Sequence, residues 1–143
     1  MNDSPPLLFA LFHTAHALQE RLDATFSALG LSAARYGVLD ELARSDAPLA
    51  LGDIAARQSC VRSNMTQLVD RLEAEGLVRR VADPTDRRSV RAEITPEGRE
   101  RRAAGEQALA AAFQAFDDAL SNNDRAALTR ILAALDATSG KDS

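Results

Sequence analysis

A polar face on one helix-forming segment carries the residue types that can contact the edges of nucleic-acid bases. Apolar side chains recur at helical spacing from Val61 to Leu72 and leave a second face that consists of Arg62, Ser63, Asn64, Thr66, Gln67 and Arg71. Arginine can pair with guanine, asparagine or glutamine with adenine, and serine or threonine with a base or a phosphate. A solvated polar face is the competing interpretation, and this helix alone does not decide between the two.

A second group of charged residues lies in a predicted turn shortly after that helix. Asp86, Arg87 and Arg88 follow Asp83-Pro84, a pair typical of turns. Guanidinium groups at such a tip can enter a minor groove, where narrowing strengthens the negative potential. We expect Asp86 to hold an arginine in an extended pose through a charge-assisted pair. The alternative is an exposed turn whose aspartates only favour bending.

The histidines and the single cysteine offer weaker chemistry. His13 and His16 lie one helical turn apart, but two histidines make at most half of a metal site, so we predict no metal and no cofactor. They can instead line a helix packing edge, or contact an organic anion. Cys60 precedes the polar helix, where a helix N-terminus can lower the pKa of a thiol. We interpret it as structural, with redox sensing as the alternative.

The periodicity of apolar residues predicts the elements that position these groups. Helices are predicted over 7–29, 32–44, 51–58, 62–75 and 96–120 and around 128–135, with strands over 77–81 and 90–95. Gly30 and Gly76 are the expected helix stops, and Asn122-Asn123 is the expected break before the last helix. The fold class is therefore mainly α with a small β-hairpin, and 51–75 has the layout of a helix-turn-helix.

The charge distribution is uneven along the chain. The 143 residues carry a net charge of −4, yet 57–91 holds eight arginines against five acidic residues. An acidic protein can therefore present a local positive surface to phosphate. A glycine-rich phosphate loop, a G-x-S-x-G motif and an H-E-x-x-H motif are absent from the sequence, so we expect no enzyme. The sequence also lacks a long apolar run and a basic leader, which predicts a cytoplasmic protein.

Residues 51–100 resemble the MarR family of bacterial winged helix-turn-helix transcription regulators. The motifs that carry the resemblance are Leu68-Val69-Asp70-Arg71-Leu72, Gly76-Leu77-Val78 with Arg80, Asp83-Pro84-x-Asp86-Arg87-Arg88 and Ile94-Thr95-Pro96-Glu97-Gly98. The resemblance implies one MarR-type domain over 1–143. Its winged helix-turn-helix lobe would occupy 32–95, and 7–29 and 96–138 would be dimerisation helices.

The resemblance also implies roles for individual residues in binding double-stranded DNA. Ser63, Asn64, Thr66, Gln67 and Arg62 would face the major groove. Arg88 would enter the minor groove, with Asp86 as its positioner and Arg87 beside it. Arg71 would either contact phosphate or brace the wing.

The distribution of aromatic residues predicts a homodimer independently. All five phenylalanines lie in the terminal segments, and none lies in 48–95. Two long helices with wide apolar faces need more partners than a small lobe offers, which an isologous dimer supplies. Such a dimer places its two recognition helices roughly 34–36 Å apart, about one turn of DNA, and predicts a palindromic operator.

Members of the family typically repress, and they release DNA when a small ligand, a metal or an oxidant arrives. By resemblance, the ligand crevice would be lined by Phe9, Phe12, His13, His16, Arg35, Tyr36 and Phe113. The chain has no tryptophan, unlike the urate-responding branch, and no cysteine near the start of its first helix, unlike the peroxide-sensing branch. The resemblance implies a repressor released by an aromatic, phenolic or anionic ligand, whose identity the sequence leaves open. The alternatives are a redox response through Cys60, or a helical protein-interaction adaptor.

Overall fold

The computed structural model describes residues 6–58 and 62–139. In chain order the elements are α1 (Leu7–Ser27), α2 (Ala33–Arg44), β1 (Leu49–Ala50), α3 (Leu51–Arg57), α4 (Arg62–Ala74), β2 (Val78–Ala82), β3 (Val90–Ile94), α5 (Pro96–Asp118) and α6 (Asn122–Ser139). Residue contacts divide the chain into two compact units, 1–109 and 110–143. Within the described ranges, no helix is both long and apolar enough to cross a membrane.

The predicted fold class is confirmed, but the sheet has one strand more than predicted. β2 and β3 form the expected antiparallel hairpin, with Val78 opposite Ile94. β1 lies on the other side of β3, with Leu49 opposite Ala92, so the strand order is β1-β3-β2. A two-residue strand is too short to show the alternation of apolar and polar residues by which strands are predicted.

The predicted helix ends are correct in the first unit and shifted in the second. Gly30 and Gly76 both adopt the left-handed conformation, with φ of 69° and 76°, where a side chain would be strained. The break between the last two helices lies at 119–121 and not at the predicted Asn122-Asn123, because α5 ends at Asp118 and α6 begins at Asn122. The hydroxyl of Ser121 accepts a hydrogen bond from the Asp124 N–H at 3.1 Å, as an N-cap serine does.

The core of the first unit buries the apolar stripe of α4. The α4 side chains Met65, Val69 and Leu72 are completely buried, together with Leu39 of α2 and Ile54 of α3. Burying each such side chain stabilises the fold by about 1.5–3 kcal/mol. Because this stripe faces the core, the polar face of α4 is directed outward.

The turn after α4 and the start of α5 approach each other unusually closely. The Thr95 hydroxyl donates a hydrogen bond to the Gly76 carbonyl oxygen at 2.7 Å and accepts one from the Gly98 N–H at 3.0 Å. The Thr95 N–H donates to the Leu77 carbonyl oxygen at 3.1 Å. A Cβ at position 98 would overlap that Leu77 oxygen. The Thr95-Pro96-x-Gly98 sequence therefore joins the sheet, α4 and α5 at one point.

We expect Gly98→Ala to destabilise the protein by about 1–3 kcal/mol, since the methyl group can enter only if the backbone shifts. Gly52→Ala is the matched control, because a Cβ there meets nothing within 4 Å. The control should stabilise the fold by about 0.5–1 kcal/mol, as alanine does within a helix. Urea denaturation measures both free energies of unfolding, and equal stabilities for the two variants would contradict the close approach.

Candidate nucleic-acid interface

The outward face of α4 presents polar side chains to solvent. Asn64, Thr66, Gln67 and Arg71 are exposed, and they alternate with the buried apolar stripe. The structure thus brings together four of the six side chains predicted on this face. The predictions for the side chains of Arg62 and Ser63, and for Cys60, lie outside the residues whose side chains the structure describes.

A groove of about 450 Å³ lies between α4 and the start of α2. We name it the α2–α4 groove; it is lined by Ser32, Ala34, Arg35, Asn64, Gln67, Leu68 and Arg71. Two amide side chains and an exposed guanidinium from the outward face of α4 therefore border a concave surface. The amide and guanidinium groups of Asn64, Gln67 and Arg71 on this border can donate hydrogen bonds to phosphate oxygens and base edges.

Arg71 borders this groove. Its Nε lies 3.6 Å from a carboxylate oxygen of Glu75, one turn further along the same helix. Of the two roles predicted for Arg71, this position is compatible with a phosphate contact.

The wing is the hairpin of β2 and β3, and the arginine that joins α4 to it is Arg80. The sequence predicted no role for this residue. Its guanidinium donates hydrogen bonds to Asp70 and, at 3.0 Å, to Glu73, and its N–H also donates to Glu73. Burial alone would lower the pKa of Arg80, but the hydrogen bonds to Asp70 and Glu73 outweigh it and raise the pKa. The sequence shows opposite charges on α4 and on the hairpin that follows it. It does not show which acidic residues pair with Arg80.

The base of the wing is organised by a buried carboxylate. Asp83 accepts hydrogen bonds from the N–H of Thr85 at 2.9 Å, from its hydroxyl at 2.8 Å and from Nε of Arg91 at 3.0 Å. These three bonds, those from Thr85 first, lower the pKa of Asp83 to about 2. Arg91 also donates to the Pro48 carbonyl oxygen at 3.2 Å, which links the wing to the segment before β1. The sequence indicated Asp83 as a turn residue and as part of the family motif, but not as the partner of Arg91.

Asp86 behaves differently from the prediction. Its carboxylate accepts a hydrogen bond from the backbone N–H of Arg88 at 2.9 Å, and its carbonyl accepts one from Ser89. The predicted pair between Asp86 and an arginine side chain is replaced by this backbone bond, because an aspartate readily caps the N–H two residues later. Arg87 and Arg88 are exposed at the tip, and neither forms an ion pair with another described residue.

Two of the predicted ligand-crevice residues have structural contacts inside the first unit. Arg35 is buried and forms an ion pair with Glu75 at 3.0 Å. The ring of Tyr36 stacks on Phe26 with centroids 5.0 Å apart, and a Cβ at Gly105 would collide with it. Burial is the main cause that raises the pKa of the Tyr36 hydroxyl. Both residues therefore hold the lobe together in this structure.

The other predicted crevice residues are accessible. Phe9, Phe12, His13 and His16 are exposed on α1, with His16 Nε2 3.1 Å from Glu20. Phe113 belongs to the second unit and is also exposed. Among the described residues, no group of three or more histidine, cysteine or acidic side chains could hold a metal ion.

Comparison with known proteins identifies this arrangement of a helix pair and a wing. The model of the MarR family matches residues 29–89, from the turn after α1 to the turn between β2 and β3. Over these residues the chain matches the MarR family. The transcriptional activatory protein BadR of Rhodopseudomonas palustris is 34% identical over 95 residues, which are 65% of this chain and 54% of BadR. The regulator PecS of Dickeya dadantii is 35% identical over 100 residues, 67% of this chain and 60% of PecS.

Solved MarR-family structures share the fold along most of the chain. PcaV from Streptomyces coelicolor superposes with a TM-score of 0.78 at 25% identity, and covers 90% of this chain and 96% of its own. A mutant of S. aureus MepR bound to an oligodeoxyribonucleotide superposes with a TM-score of 0.64 at 21% identity, covering 92% of this chain and 99% of its own. The curated relatives are transcription regulators, and the chain spans only about half to three fifths of their length.

Asp83→Asn tests the buried carboxylate at the base of the wing. Because the pKa of Asp83 is lowered from 3.8 to about 2, the folded protein keeps a charge that the unfolded chain neutralises first as the pH falls. The wild type should exceed the variant in free energy of unfolding by a constant margin above pH 3.8, and the margin should shrink as the pH falls towards 2.

Urea denaturation across this pH range measures the margin. Asp86→Asn in the exposed tip is the matched control, since its amide oxygen can still accept the N–H of Arg88, and it should unfold like the wild type. A margin for Asp83→Asn that is independent of pH would show that the carboxylate does not stabilise the wing through its charge.

Proposed function

We propose that this protein is a sequence-specific DNA-binding transcription regulator of the MarR family that contacts the major groove with α4 and the minor groove with Arg88. The observation that supports this most strongly is that one lobe presents both the exposed polar face of α4 and two exposed arginines at the wing tip. The first carries residue types that discriminate bases, and the second carries the charge that a narrow minor groove attracts. Base contacts and phosphate contacts would then act together.

The roles we assign follow the positions of the side chains. Asn64, Thr66 and Gln67 would face base edges, and Arg71 would contact phosphate at the α2–α4 groove. Arg87 would lie against the backbone beside Arg88. Asp86 would shape the tip through the Arg88 N–H, which fixes where the Arg88 side chain begins.

We further propose that the protein acts as a homodimer. On α1, Leu7, Phe9 and Phe12 are 87%, 65% and 59% exposed, and in the second unit Phe113 is 58% exposed. Large apolar side chains exposed to this extent in each unit mark interaction sites, and a second copy of the same chain offers the same side chains in return. The two lobes of such a dimer would bind a palindromic operator.

The direction of regulation and its signal complete the proposal. We propose that the protein represses transcription in the cytoplasm. A small aromatic, phenolic or anionic effector would release it from its operator. A dimer that occupies its operator excludes polymerase from overlapping DNA without any further contact. The exposed aromatic rings and histidines of α1 offer stacking and hydrogen bonding to such an effector. BadR is by its name an activatory protein, so a reporter assay of the neighbouring promoter decides the direction.

We expect Arg88→Ala to weaken binding to a duplex that the wild-type protein selects from a random pool. The affinity of the dimer should fall at least about tenfold, and the slope of log K against log salt should decrease by about 2, as when one cationic contact is lost from each of the two protomers. Fluorescence anisotropy over a range of salt concentrations measures both quantities. Arg44→Ala is the matched control, because Arg44 is an exposed arginine at the far end of α2, bonded to Asp40 at 2.9 Å. Equal affinities for Arg88→Ala and wild type at every salt concentration would rule out the minor-groove role.

A further inference from the structure

We propose that Arg35 is a positioning residue for α4 that acts through Glu75 and does not touch DNA. This inference rests on the proposed function, since it concerns how α4 is held for binding. Arg35 is 8% exposed and lies in the first turn of α2. Its effect on DNA binding would therefore be indirect, unlike that of the exposed arginines on α4 and the wing.

The geometry joins the ends of two helices through one guanidinium nitrogen. Nη1 of Arg35 donates to both carboxylate oxygens of Glu75 at 3.0 Å and to the Gly30 carbonyl oxygen at 3.1 Å. Gly30 follows the end of α1, and Glu75 follows the end of α4. Arg35 thus connects the helix we propose for dimerisation to the helix we propose for base contacts.

The turn that follows α1 accepts two bonds of this kind. Within the helix end, the carbonyl groups of Ala24, Phe26 and Ser27 already accept backbone N–H groups of the turn. The carbonyl groups of Leu29 and Gly30 lie beyond the helix, where Arg101 of α5 donates to Leu29 at 3.2 Å and Arg35 to Gly30 at 3.1 Å. Two guanidinium groups therefore hold the turn after α1, and Arg35 extends the connection to α4.

Burial makes the connection specific. A buried guanidinium requires a charged or hydrogen-bonding partner, so α4 is favoured in the orientation that brings Glu75 within reach of Arg35. Glu75 also lies 3.6 Å from Arg71 at the α2–α4 groove. When Arg71 turns towards a phosphate, Glu75 keeps its bonds to Arg35, and the end of α4 stays in place.

The test compares Arg35→Gln and Glu75→Gln with the wild type on the selected duplex and on a scrambled duplex of equal length. Each variant should bind the selected duplex about tenfold more weakly, the size of an ordinary coupling between contacting residues. The slope of log K against log salt should stay unchanged, since no phosphate contact is removed. The double variant should bind no more weakly than either single variant, because both break the same connection.

Arg44→Gln is the matched control, an identical change in the same helix at an exposed arginine, and it should bind like the wild type. A decrease of the salt slope by about 2, one contact from each protomer, in Arg35→Gln would overturn the proposal in favour of a direct phosphate contact. Losses that add in the double variant, or wild-type affinity in Arg35→Gln, would also overturn it.

A second variant separates positioning from stability if the single changes unfold the lobe. Arg35→Met combined with Glu75→Leu replaces the ion pair with apolar groups, which commonly preserves or raises stability. We expect this variant to melt at or above the temperature at which the Arg35→Gln variant melts, yet to bind the selected duplex more weakly than the wild type. Wild-type affinity in this variant would show that Arg35 serves stability alone. If the wild-type protein selects no duplex at all, the proposed function fails, and that outcome differs from every outcome above.

Discussion

The contact between the turn after α4 and the first turn of α5 is the constraint on which the rest of the lobe depends. Thr95 bonds to Gly76 and caps α5 through Gly98, and the missing side chain of Gly98 lets the Leu77 carbonyl approach. Because β2 begins at Val78 and β3 ends at Ile94, this one point fixes the hairpin against the end of α4. The wing and the polar face of α4 therefore belong to one rigid lobe, and a surface made from both can match a duplex.

The arginines of this lobe serve two distinct purposes. Arg35, Arg80 and Arg91 are at least partly buried and bond to Glu75, to Asp70 and Glu73, and to Asp83 respectively. Arg87 and Arg88 remain exposed at the wing tip. A count of charges along 57–91 cannot separate Arg80 and Arg91 from the exposed arginines of that segment, since it does not show which arginines are paired with acids. The positive surface available to DNA is thus carried by few residues, and a net charge of −4 is compatible with it.

Features that arise from residues close together in the sequence could be predicted, and features that join distant segments could not. The stripe of Met65, Val69 and Leu72 and the stops at Gly30 and Gly76 follow from periodicity and backbone conformation, and each was predicted correctly. For Asp86 the predicted partner was an arginine side chain, whereas its carboxylate accepts the backbone N–H two residues later. β1 and the Arg35–Glu75 pair depend on segments about 40 residues apart, which no local pattern reveals. Resemblance to the family predicted where the wing lies in the sequence. It did not predict the bonds from Arg80 and Arg91 that attach the wing to the lobe.

Dimethyl sulfate footprinting of the selected duplex tests most directly whether α4 and the wing form one DNA-contacting surface, because the reagent methylates guanine N7 in the major groove and adenine N3 in the minor groove. A homodimer of such lobes should protect two segments related by two-fold symmetry, with centres roughly 34–36 Å apart. Each segment should include a major-groove region and an adjoining minor-groove region, since α4 and Arg88 would bind together. Protection of the major-groove regions without the adjoining minor-groove regions, or of a single segment without symmetry, would contradict this surface.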